Sequence, residues 1–306
     1  RCPQVAFHAV LLAMFLASSA AIPLPARSSN TSRAVVMWHG MGDTCCLPVS
    51  MGRVKSLIEK HVPGAYVRSL MIGENEAKDQ YNGFFMPIHE QLTFACNLVS
   101  KDPNLAGGFH AVGFSQGGLF LRALVQTCPE AKVQSLISIG GPQQGVYGLP
   151  RCITHSVFCE TMKKLLEMGA YESFVQQRSV QAQYWQDPVK SEEYLKYNIF
   201  LPDINNNLEE KKAVYRDRIL SLNKLVLVKF QNDTVVVPRE STWFEFYQEG
   251  QDVEIQDLKQ SKLYEEDWIG LKSLDAAGKL DMLECPGDHL EMPDGYFIQK
   301  IIPYLK

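Results

Sequence analysis

The run Ala34-Val35-Val36-Met37-Trp38 is apolar without a break, the pattern of a strand buried on both faces of a sheet. From Ser50 to His61 the period changes. Met51, Val54, Leu57 and Ile58 recur at helical spacing, and Pro63-Gly64 stops the run. Tyr66 to Ile72 returns to strand character. Phe84, Phe85, Ile88, Leu92, Ala95, Cys96 and Val99 recur at intervals of three and four, which predicts one helix over about 84–100. A strand over 109–114, a helix over 117–126 and a strand over 133–139 follow. Alternation of this kind predicts an α/β fold with a mostly parallel sheet flanked by helices.

Residues 146–222 break the rhythm. They mix polar and apolar positions at mostly helical spacing, with few strand signals. This stretch is expected to be a helical insertion that caps the sheet. Leu225 to Phe230 then reads as a buried strand, Leu280 to Leu283 as a shorter one, and Tyr296 to Leu305 as a closing helix. No internal repeat interrupts the pattern.

Composition narrows the class. The 306 residues are 46% apolar and 21% charged, with a formal net charge of -4. So apolar a chain is not disordered. The mildly acidic balance speaks against nucleic acid as a partner. A chain of this size buries enough surface to need no metal staple.

The start of the chain points to a compartment. Arg1 precedes an apolar run from Val5 to Phe15, and small residues follow as far as Ala21. Residues 1–22 are expected to be a secretory signal peptide, with residues 23–306 as the catalytic domain. Position 1 is not Met, so the first residues of the gene product are expected to be missing. The run is short for a membrane span and His8 interrupts it, and no later stretch is long and apolar enough. No stable membrane span is therefore expected.

Eight cysteines fit a secreted protein: Cys2, Cys45, Cys46, Cys96, Cys128, Cys152, Cys159 and Cys285. Loss of Cys2 with the signal leaves an odd number, so at least one stays free or pairs outside the chain. No C-x-x-C pair suggests zinc or a thioredoxin-like site. Asn30-Thr31-Ser32 and Asn232-Asp233-Thr234 are acceptor patterns for N-glycosylation, which makes Asn30 and Asn232 the candidate sites.

Gly113-Phe114-Ser115-Gln116-Gly117 matches G-x-S-x-G between a predicted strand and a predicted helix. Small residues two before and two after the serine allow the sharp turn that exposes its hydroxyl. A serine hydrolase of this kind needs an acid and then a histidine downstream, each after a strand. Asp233 follows the strand at 225–230. His289 follows the strand at 280–283 and is the only histidine beyond Asp233. Asp288 is the rival acid, but it is badly placed to reach the far side of its neighbour's imidazole. His39-Gly40-Met41-Gly42-Asp43 follows the first strand, where an H-G turn can aim a backbone N–H at an oxyanion beside that of Gln116.

Two other motif readings fail. Gly40-x-Gly42-x-x-Cys45 lacks the third glycine of a dinucleotide fingerprint. His89-Glu90 has Thr93 where a zinc protease needs its second histidine.

Several segments together resemble the palmitoyl-protein thioesterase family. They are Trp38-His39-Gly40-Met41-Gly42-Asp43-x-Cys45-Cys46, Gly113-Phe114-Ser115-Gln116-Gly117-Gly118, Gly148-Leu149-Pro150-Arg151-Cys152 and Tyr184-Trp185-x-Asp187-Pro188. Phe230-x-Asn232-Asp233 and Gly287-Asp288-His289 complete the set. The resemblance runs in order from about 35 to 306. It implies an α/β-hydrolase of the lysosome, reached through the secretory pathway, or of the extracellular space. Its substrates would be S-palmitoylated proteins, peptides and other acyl thioesters.

The resemblance also implies roles. Ser115, Asp233 and His289 match the family's nucleophile, acid and base, and Met41 and Gln116 match its oxyanion donors. Val180, Trp185 and Val235 match its acyl groove. The implied disulfides pair Cys45 with Cys46, Cys96 with Cys128, and Cys152 with Cys159, which leaves Cys285 free. The sequence departs from the family at Val237, where an acid is usual, and at Asn198-Ile199-Phe200, where a sequon is missing.

The chemistry expected is two-step acyl transfer through Ser115, with no metal and no organic cofactor. The triad alone does not separate a thioesterase from a secreted lipase or carboxylesterase. A lipid-binding glycoprotein on an inactive scaffold is a third reading, opposed by the intact Ser115, Asp233 and His289.

Overall fold

Five successive apolar residues have no face to give to solvent, and Ala34–Trp38 accordingly forms a strand, β1, buried at every position. The computed structural model describes residues 34–149 and 157–306. The signal segment, Asn30 and Cys152 lie outside the described residues. The main sheet comprises β1, β2 (Tyr66–Ser69), β3 (Phe109–Phe114), β4 (Val133–Ile139), β5 (Lys224–Phe230) and, after a small hairpin of β6 (Phe246–Tyr247) and β7 (Ile255–Gln256), β8 (Leu280–Cys285). Its order is β2-β1-β3-β4-β5-β8 and every neighbouring pair is parallel. From β1 the chain steps one way to β2, then crosses back and steps the other way from β3 to β8. The reversal between β1 and β3 opens a crevice at the carboxyl ends of those strands, where ligands bind in sheets of this type.

Alternation along the strands splits the core into two layers. Val36 and Trp38 of β1, Ala111 of β3 and Leu225 and Leu227 of β5 point to one face. There they meet α3 (Ile88–Ser100) and α4 (Gln116–Thr127). Val35, Met37, Val112, Val226 and Val228 point to the other face, against α1 (Met51–His61) and the C-terminal helical segment. The parallel α/β architecture is the one the alternating pattern predicts.

Four boundaries differ from the sequence reading. The single helix expected over 84–100 is two, α2 (Glu76–Phe85) and α3. Pro87 forces Met86 into extended backbone, φ -83° and ψ 125°, and the helix restarts after it. Strand β2 ends at Ser69 rather than Ile72, because the Ile72 N–H turns to the Asp79 carboxylate at 2.7 Å. Strand β8 runs on to Cys285. The closing helix passes from α through π to 3-10 geometry over 294–305, where Pro303 withholds a donor.

Between β4 and β5 lie α5 (Val157–Glu167), α6 (Ser173–Gln176), α7 (Val180–Gln183), α8 (Ser191–Tyr197), α9 (Leu201–Ile204) and α10 (Ala213–Leu220). A buried arginine ties this region to the sheet. Arg122 of α4 donates from Nε to Gln143 Oε1 (2.6 Å) and from Nη1 to Gln126 Oε1 (3.0 Å) and the Ile204 carbonyl (3.1 Å). Its Nη2 donates to the Gln143 carbonyl (3.1 Å) and Asn205 Oδ1 (2.7 Å). All five N–H groups are used, every acceptor is neutral, and burial pushes the guanidinium pKa down to about 9.

Candidate active site

Ser115 stands between β3 and α4 with φ 52°, a left-handed backbone that a serine adopts only under constraint. The turn is held by the Ser115 N–H on the Ile139 carbonyl (2.8 Å) and the Gly118 N–H on the Ser115 carbonyl (2.9 Å). Both flanking glycines are sterically required. A Cβ on Gly113 would lie 2.4 Å from the Gly117 carbonyl oxygen, and one on Gly117 would lie 2.4 Å from that of Trp38. The strand, the turn and the helix therefore pack too closely for any side chain at these positions.

His289 Nε2 lies 2.9 Å from Ser115 Oγ, and His289 Nδ1 lies 2.7 Å from Asp233 Oδ2. A carboxylate only accepts, so Nδ1 carries the proton and Nε2 is left to accept from the serine hydroxyl. Asp233 is aimed by its other oxygen, which accepts the Val235 and Val236 N–H groups at 2.9 and 2.8 Å. The Asp233 side chain is fully buried and that of His289 nearly so. The edge of the Phe230 ring closes one side of the imidazole. Asp288 faces elsewhere. It accepts from the Thr234 N–H and hydroxyl and from the His289 N–H, and so joins the two loops without touching the imidazole.

The first-strand loop comes close to the serine. A Cβ on Gly40 would stand 3.0 Å from Ser115 Cβ. Met41 and Ser115 line one small cavity with Pro142, Val146, Leu166, Gln181, Tyr184, Val235 and Val236. Gln116 is the first residue of α4, so its backbone N–H belongs to the helix end whose donors lack intrahelical partners. Met41 and Gln116 thus flank the serine. Of the groove residues named from the sequence, Val235 lies on the cavity wall. Val180 is fully buried in the core and Trp185 is half-buried behind it; neither lines this cavity.

Beneath the loop sits a buried histidine–aspartate pair. His39 Nδ1 donates to the Gly40 carbonyl (2.8 Å), and its Nε2 lies 3.1 Å from Asp79 Oδ2, out of line for a good hydrogen bond. Burial lowers the His39 pKa, but the Asp79 carboxylate outweighs it and the net shift is upward. Asp79 also accepts the Cys45 N–H (2.9 Å). The carboxylate therefore braces both ends of the loop that carries Met41. Sequence reasoning missed Asp79 and Gln181, because neither belongs to a motif; the nearest signal was the Tyr184-Trp185 segment beside Gln181.

Disulfides join Cys45 to Cys46 and Cys96 to Cys128. Cys159 is also disulfide-bonded. Cys285 is free and buried, and burial raises its thiol pKa to about 11. Asn232 is exposed.

A family model described as palmitoyl protein thioesterase matches residues 34–289, which span the loop at Met41 and all of Ser115, Asp233 and His289. Palmitoyl-protein thioesterase 1 of Caenorhabditis elegans is 46% identical over 90% of this chain and 92% of its own. Palmitoyl-protein thioesterase 3 of Dictyostelium discoideum is 35% identical over 90% and 93%. The human lysosomal thioesterase PPT2 is 30% identical over 87% and 83%. With the serine turn, its histidine and the parallel sheet all inside the matched region, this chain belongs to the palmitoyl protein thioesterase family.

Proposed function

We propose that this protein is a serine hydrolase that removes long-chain fatty acyl groups, palmitate among them, from S-acylated cysteines of proteins and peptides. The observation that carries the reading is the unbroken chain from Ser115 Oγ through His289 to Asp233, at 2.9 and 2.7 Å. Membership of the thioesterase family supports the choice of substrate.

In this mechanism His289 takes the proton from Ser115 as the hydroxyl attacks the thioester carbonyl. Asp233 holds the tautomer and stabilises the imidazolium. The backbone N–H groups of Met41 and Gln116 receive the oxyanion. The cysteine thiolate then leaves, helped by a thiol pKa near 8.5. Water hydrolyses the acyl-serine and restores Ser115. Val235 borders the acyl chain; the groove roles of Val180 and Trp185 rest on the family resemblance alone.

The same reading places residues 1–22 as a signal peptide, the enzyme in the lysosome and a glycan on Asn232. The name of the human relative supports the compartment. The exposure of Asn232 supports the glycan, which peptide mapping after glycosidase digestion of secreted material tests.

The test of function is competition between substrates. S-acyl peptides of graded chain length should be hydrolysed, Ser115→Ala should abolish it, and triglyceride should compete poorly. Preferential hydrolysis of triglyceride would instead make the protein a lipase.

A further inference from the structure

Apolar recesses occur in both core layers near Ser115. The small cavity that Ser115 itself lines takes Val146, Tyr184 and Val236 from the layer of α3 and α4. A second cavity, of about 210 Å³, belongs to the other layer, that of α1. Met51 and Val54 of α1, Phe114 and Ile139 at the ends of β3 and β4, and Leu290 and Met292 beyond β8 form its apolar walls. Val49 also lines it and is 81% exposed, so the cavity opens to solvent there.

The loops that carry the catalytic groups build this recess. Phe114 precedes Ser115, Leu290 follows His289, and Asp43 lies two residues after Met41. Leu290 is held with φ 60°, and the Met292 N–H closes on its carbonyl at 2.8 Å. The tight turn after His289 thus supplies two of the walls. Charge gathers at the rim. Arg53 pairs with Asp294, and Asp43 accepts from the Thr44 N–H and the Ser50 hydroxyl at 2.7 and 2.9 Å. One arginine against two carboxylates leaves the rim net negative.

A thioester gives the enzyme two sides to bind, an acyl chain and a cysteine-bearing peptide. Val235, on the wall of the first cavity, borders the acyl chain. The sulfur departs beside the imidazolium of His289, its proton donor. The peptide is therefore on the side of the histidine loop, and that loop forms part of the second cavity. We propose that the cavity between α1 and the histidine loop receives an apolar side chain of the acylated peptide, close in sequence to the modified cysteine; this rests on the thioesterase reading above. Its volume lies below the range of about 300–1,000 Å³ that drug-sized ligands occupy, a scale that suits a side chain rather than a whole ligand. An acidic side chain is disfavoured twice, by the negative rim and by the apolar walls.

The test measures kcat/KM with S-palmitoyl peptides that carry leucine, glycine or glutamate at each of the two positions on either side of the cysteine. The palmitoyl thioester of mercaptoethanol, which has no peptide, is the control. At one position leucine should exceed glycine by about tenfold, and glutamate should fall below glycine. Val49→Asp and Val49→Lys alter an exposed residue of the lip, so the fold should survive both. Each should lose most of the leucine preference, whichever charge it adds, and hydrolyse the mercaptoethanol thioester at the wild-type rate. Equal rates for leucine and glycine at every position, or a preference intact in both variants, would overturn the subsite. Loss of the preference for long over short acyl chains on mercaptoethanol in these variants would give the cavity to the acyl chain, and overturn it too. No hydrolysis of any palmitoyl thioester by the wild type would overturn the thioesterase reading, and this proposal with it.

Discussion

Asp288 is the chain neighbour of His289, yet its carboxylate turns to Thr234, accepting the backbone N–H at 2.8 Å and the hydroxyl at 2.9 Å. The imidazole is held by Asp233, from another strand end. The two acids differ in role accordingly. Asp233→Asn should lower kcat by roughly 10³-fold or more, because an amide reverses the tautomer preference. Asp288→Asn should change kcat by less than about tenfold and cost about 1–2 kcal/mol of stability. Steady-state kinetics and thermal melts of both variants check this, and the reverse ranking would move the acid to Asp288.

Arg122 makes five hydrogen bonds with no charged partner among them. Arg122→Met should therefore destabilise the protein by about 3–5 kcal/mol, since it leaves buried acceptors on both sides of the interface unpaired. Limited proteolysis should cut first within 157–220. A melt unchanged from wild type would show that the arginine is dispensable.

The buried His39–Asp79 pair gives stability a pH dependence of known sign. The folded pKa of His39 is raised. Its contribution is thus fully present below the unfolded value of about 6.5 and is lost as pH rises through the folded value. His39→Gln should be most destabilised relative to wild type in acid, with the gap narrowing on the alkaline side. Urea melts across that range measure it, and a gap that widens with pH would reverse the assignment.

How much of this was legible in the sequence depended on the range of each interaction. The turn at Ser115 was legible because the close approach of β3 to α4 excludes a side chain at Gly113, and that of α4 to the end of β1 excludes one at Gly117. His289 was legible by order along the chain. The break at Pro87 was overlooked because apolar spacing continues across it, with Phe84 and Ile88 both buried. Asp79 and Gln181 left no local pattern. Gln181 meets Gly83 and Gln116 from 98 and 65 residues away, so these contacts exist only once the helices after β4 have packed on the sheet.

The free thiol gives a prediction of reactivity. Burial raises the Cys285 pKa to about 11, so little thiolate forms at neutral pH. The native protein should resist iodoacetamide at Cys285, and unfolding without reductant should expose it to full alkylation. Cys285→Ser should keep most activity. Rapid labelling of the native protein at Cys285 would contradict the buried setting.

The most direct test of the central claim is to map the covalent intermediate. The protein is mixed with an S-palmitoyl peptide, quenched in acid during turnover and digested, and the acylated peptide is sequenced by mass spectrometry. The account predicts palmitate as an oxyester on Ser115, absent from Ser115→Ala and longer-lived in a His289→Ala variant loaded with an activated ester. Turnover of the peptide with palmitate on another residue, or with no acyl-enzyme under conditions that trap one from an activated ester, would contradict it.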